Sequence, residues 1–89
     1  MPRYVIERTV PGVHRLNAES LRNLAKRSNE VLNELGPQVQ WVHSYVAPDK
    51  LFCVYLAPSE DLIREHAKRG PFPLDRVSLV KVIDPTTGE

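Results

Sequence analysis

Few side chains in this 89-residue chain can bind or transform a ligand, and most of those fall in one stretch. Val39–Ala57, VQWVHSYVAPDKLFCVYLA, holds the only Trp, the only Cys, two of three Tyr and one of three His. His43 offers an imidazole nitrogen, Cys53 a thiol, and Tyr45 and Tyr55 phenol oxygens. Glu7, in the N-terminal RYVIERTV, adds a carboxylate. Nitrogen, oxygen and sulfur donors in one place suit a late divalent transition metal of the nickel or zinc type. Each residue also has a plainer reading. His43 can be a hydrogen-bonded histidine beside Tyr45, Glu7 a strand carboxylate paired with Arg3 or Lys81, and Cys53 a small apolar filler. No HxxxH or CxxC spacing is present, so spacing alone leaves both readings open. His66, in REHAKRG, lies on the apolar stripe of a helix, as a core histidine or a ligand at the edge of the site.

The elements that must position these residues follow from periodicity and punctuation. Residues 3–10 are rich in β-branched and aromatic types and read as a first strand. Asn17 can cap a helix over 18–35, where Leu21, Leu24, Ala25, Ser28, Val31, Leu32 and Leu35 recur at three- and four-residue steps. Gly36 supplies a left-handed stop and Pro37 prevents continuation. Residues 39–47 and 51–57 read as strands joined by Pro48-Asp49-Lys50. Ser59 can cap a second helix over 60–69, which Gly70-Pro71 stops as Gly36-Pro37 stops the first. A last strand covers 76–84.

The order β-α-β-β-α-β predicts one ferredoxin-like α+β domain over 1–89. It has a four-stranded antiparallel sheet in the order 4-1-3-2 and both helices on one face. A three-residue turn would pair Ala47 with Leu51, Tyr45 with Cys53, His43 with Tyr55 and Trp41 with Ala57. The uncovered face would then gather Glu7, Trp41, His43, Tyr45, Cys53 and Tyr55. A bare face of that kind is costly in water, and a second copy laid against it would cover it. A homodimer is expected.

Composition narrows the function classes. Twelve Lys and Arg against eleven Asp and Glu leave +1, too little for a surface that tracks nucleic-acid phosphates or an anionic membrane. A lone cysteine supplies no internal disulfide framework, and no apolar run is long enough to span a bilayer. The expectation is a cytoplasmic protein with no nucleic-acid or membrane partner. No Gly-rich phosphate loop and no GxSxG elbow occurs.

WVHSYV, CVYLAP and REHAKRG, together with YVIER, ELGP and the closing IDPT, resemble a family of small bacterial proteins. Its best-described type is a nickel-binding protein with a ferredoxin-like fold. The resemblance spans nearly the whole chain. It implies a homodimer that binds Ni2+, or Zn2+ or another late divalent metal, and the first reading is a protein that buffers or senses the metal without turnover. The positions able to ligate are Glu7, His43, Cys53 and His66, with Tyr45 and Tyr55 also matching. The alternative is a dimeric α+β barrel enzyme of the monooxygenase or isomerase kind. In that reading a small organic substrate sits between two sheets and Glu7 or His43 moves a proton.

Overall fold

The computed structural model describes residues 1–87. In chain order come β1 (Arg3–Thr9), a 3-10 turn (Val13–Arg15), α1 (Ala18–Leu35) and β2 (Gln40–Val46). β3 (Lys50–Leu56), α2 (Glu60–Arg69) and β4 (Arg76–Val80) follow. The strands form one antiparallel sheet in the order β2-β3-β1-β4, the ferredoxin-like arrangement. α1 starts where Asn17 accepts the Ser20 N–H at 2.8 Å and ends at Gly36, whose φ of 87° a side chain would resist. Ser59 occupies the N-cap position of α2 in extended backbone, but its side chain makes no capping bond.

One side of the sheet carries the core. Tyr4, Ile6, Cys53, Tyr55 and Ala57 are buried there with Val39 and with Ile63 of α2, and Leu32 and Leu35 of α1 pack against them. Arg8 continues the Tyr4–Ile6 phase and is 3% exposed.

The β2–β3 hairpin differs from its expected register in two ways. The turn has two residues, not three: Ala47 N–H donates to Lys50 O at 2.9 Å, so Val46 pairs with Leu51 and Ser44 with Cys53. The tip is tied to the loop after β1, through Val10 N–H on Asp49 O and Gly12 N–H on the Asp49 carboxylate. Those bonds hold the tight turn against the hydrophobic pattern that favoured a longer one. A bulge then intervenes between Trp41 and His43, so Trp41 pairs with Tyr55 and His43 with Val54. An extra residue reverses the facing of everything before it. Trp41 therefore turns to the helix-covered side, where its indole N–H donates to Ser44 Oγ at 3.0 Å, while His43 and Tyr45 stay on the open side.

β4 stops at Val80 and not at Asp84, because Val80 pairs with Arg3 and β1 offers no further partner. Val82 and Ile83 are exposed beyond it. Gly70 also departs from expectation. Its φ is −57°, an ordinary right-handed helical value, and its N–H donates to His66 O at 3.2 Å. Glycine is required there for space: a Cβ would overlap the Phe72 ring. Gly70→Ala is therefore expected to lower the unfolding free energy by about 1–3 kcal/mol. Chemical denaturation of the two proteins checks this, and an unchanged midpoint would show that the ring moves aside freely.

Candidate functional site

Register distributes the potential ligands over both sides of the sheet. Glu7 pairs with Phe52 and Arg76, while His43 pairs with Val54 and Tyr45 with Phe52. These residues share the open side. Cys53 pairs with Ile6, and Tyr55 with Tyr4, so both face the helices. The expected cluster of Glu7, Trp41, His43, Tyr45, Cys53 and Tyr55 is thus divided: Glu7, His43 and Tyr45 remain together, and Trp41, Cys53 and Tyr55 lie behind them.

On the open side, Glu7 lies one strand from Phe52 and two from Tyr45, on the order of 10 Å across the sheet. Its carboxylate is 3.7 Å from Lys50 Nζ and 3.9 Å from Arg76 Nε, not beside Arg3 or Lys81. The His43 ring meets Tyr45 edge-on, with centroids 5.0 Å apart, and Tyr45 is 62% exposed. Val5, Phe52, Val54 and Leu56 share this phase, which leaves the donors set around an apolar strip. Among the described residues, no three His, Cys, Asp or Glu side chains come close enough together to hold a metal ion. The described residues of one copy therefore present separate donors on this face and no closed coordination shell.

The other side holds a different set. His66 of α2 is fully buried, its ring 5.2 Å from Tyr55 and 5.1 Å from Phe72. Its Nε2 lies 3.4 Å from Ser28 Oγ and 3.5 Å from Ser28 O, and its Nδ1 has no partner among the described residues. Burial lowers the His66 pKa to about 4 against a weaker opposing pull from the Ser28 carbonyl, and the nearby Arg8 charge lowers it further. Burial likewise raises the Tyr55 phenol, opposed in part by Ser28 and Arg8. Cys53 is buried and free. His14, exposed, meets the Pro48 carbonyl through Nδ1 and so belongs to the hairpin tip.

Arg8 is the charged group whose importance spacing did not reveal. Its sequence signal was a cation in phase with Tyr4 and Ile6 on a strand whose other side carries Glu7. Its guanidinium donates to the Pro73 carbonyl and stands 5.4 Å from the Phe72 ring.

Comparison with known proteins bears on this geometry. Residues 4–80 match the model of a family described as nickel responsive protein SCO4226-like. The chain belongs to this family. Among solved structures, the crystal structure of SCO4226 from Streptomyces coelicolor A3(2) superposes with a TM-score of 0.74 at 14% identity. The match covers 92% of this chain and 99% of that one, and at such identity it speaks for the shared fold. No curated protein sequence matches the chain. No helix among the described residues is long and apolar enough to cross a membrane.

His66 should make stability depend on pH. Its folded pKa lies below the unfolded value of about 6.5, so the unfolded chain takes up the proton first as pH falls. The stabilisation is complete above about pH 6.5 and is lost as pH drops toward 4, by on the order of 3 kcal/mol. His66→Gln should remove that part of the pH dependence. Unfolding curves of both proteins between pH 7 and 4 measure it, and parallel profiles would contradict the assignment.

Proposed function

We propose that this chain is a nickel-responsive, metal-binding protein that works as a homodimer. In this reading the open sides of two sheets face one another, and together they complete a site that neither copy has alone. His43 and Tyr45 from one copy and Glu7 from the other would supply nitrogen and oxygen donors to Ni2+ or a similar late divalent ion. The observation that carries the reading is the family match over residues 4–80, together with the side of the sheet on which Glu7, His43 and Tyr45 lie.

Two physical features support the arrangement. Tyr45, Phe52, Val5 and Leu56 form an incompletely buried strip that a second copy would cover. The donors are also too dispersed within one chain for a shell of their own. The Lys50 and Arg76 cations beside Glu7 would have to yield to the metal, and this competition would limit affinity. Cys53 and His66, on the opposite side, would stand outside such a site.

Calorimetric titration of chelator-stripped protein with nickel and zinc, with mass determined by light scattering, tests the reading. Saturable binding by a dimer is expected. His43→Ala should abolish it, Glu7→Ala should weaken it by about tenfold or more, and Cys53→Ser and His66→Gln should leave it unchanged. Binding should release protons and weaken as the buffer is taken toward pH 5, since only the neutral imidazole ligates. A parent protein that binds neither ion would reject the proposal. Binding that survives His43→Ala but not Cys53→Ser would move the metal to the helix-covered side.

A further inference from the structure

Between the N-terminal half of α1 and the helix-covered side of β2 and β3 lies a cavity of about 490 Å³. That volume is typical of sites for small organic molecules. Leu21, Leu24, Val46 and Leu51 give it apolar walls, and Trp41 and Phe72 add aromatic surface. Two guanidinium groups line it, Arg8 and Arg27, and no carboxylate among the described residues does.

The two cations differ in what they already bind. Arg27 is exposed and engaged: its Nε donates to Gly70 O at 3.1 Å, one Nη to Arg69 O at 3.3 Å, and the other faces Glu30 at 3.5 Å. Arg8 is 97% withdrawn from solvent, since its exposure is 3%. One of its Nη atoms donates to Pro73 O, and the other, Nη2, is buried with no hydrogen-bond partner among the described residues. None of the ion pairs among the described residues includes Arg8. A buried guanidinium without a counter-ion is costly, and an anion that meets its free N–H edge would offset much of that cost.

We propose that this cavity binds a small organic monocarboxylate, with its apolar body along α1 and β2 and its carboxylate on the Arg8 guanidinium. One buried, unpartnered guanidinium nitrogen beside mostly apolar walls matches one carboxylate. The site lies on the side of the sheet opposite Glu7 and His43 and depends on neither a metal nor a dimer. It differs from a cavity between two sheets, because the lining residues come from α1, the covered side of the sheet and the 70–73 loop.

Octanoate serves as the probe, with octan-1-ol as its uncharged counterpart, both titrated in the presence of a chelator. Amide NMR spectra locate binding, and Trp41, the only tryptophan, reports by fluorescence. Octanoate should bind saturably and about tenfold or more tighter than octanol, with shifts at residues 21–28 and 70–73. Arg8→Met, which removes a buried charge and keeps the apolar stem, should erase that advantage and leave octanol unaffected. Ala25→Phe, placed on the helix wall, should weaken both ligands. The proposal is overturned if octanoate binds no tighter than octanol, or if its shifts fall around Glu7 and His43. It is equally overturned if a folded Arg8→Met protein keeps the parent affinity. Should Arg8→Met fail to fold, the octanoate-to-octanol ratio in the parent and the Ala25→Phe result decide by the same criteria.

Discussion

The register of the β2–β3 hairpin is the constraint on which the chemistry of this protein depends. Two local features set it: a two-residue turn held by bonds from Val10 and Gly12 to Asp49, and a bulge between Trp41 and His43. Each shifts the pairing by one residue, and a one-residue shift exchanges the two faces of a strand. The turn sets Ser44 opposite Cys53, and pairing with Ile6 and Tyr4 of β1 holds Cys53 and Tyr55 on the covered side. The bulge separates Trp41 from His43 and Tyr45, which would otherwise share its face. Without these features one side would carry nearly every reactive group. With them, the sheet has two chemically distinct sides.

The covered side is unusual in that its interior contains a cation. Arg8 occupies a core position of β1, and its charge reaches His66, whose proton it and burial both disfavour. Phe72 holds this region together. Its ring lies against His66 and under Arg8, and it sits where only glycine at position 70 leaves room. The C-terminal half of α1 closes the core through Val31, Leu32 and Leu35, whereas Leu24 in its N-terminal half is 41% exposed. The core is therefore tight at one end and open at the other, where the cavity lies.

The open side follows a different logic. Its donors are spread across strands, and Glu7 is already balanced by two cations. In the proposed reading, this face is where a metal would bind in a chain whose family is described as nickel responsive. In the same reading, the dispersion of the donors is what a second copy would make good.

Much of the fold was legible from local signals. α1 and α2 have the bounds that their stripes and punctuation implied, and Asn17 and Gly36 act as their residue types suggest. Strand order followed from the β-α-β-β-α-β sequence of elements, and the family resemblance was carried by motifs along nearly the whole chain. These features depend on residues close in sequence, so periodicity and capping chemistry determine them. The sides on which Cys53, Tyr55 and Trp41 lie were decided only in three dimensions. The hairpin tip is fastened by the loop after β1, some forty residues earlier in the chain (Gly12 to Asp49, for example), and the bulge leaves no distinctive composition. Burial of Arg8 and His66 beside one another likewise arises from packing β1 against α2 and the 70–73 loop. Local pattern carries no information about such long-range contacts, and tertiary packing therefore selected the face on which each reactive side chain lies.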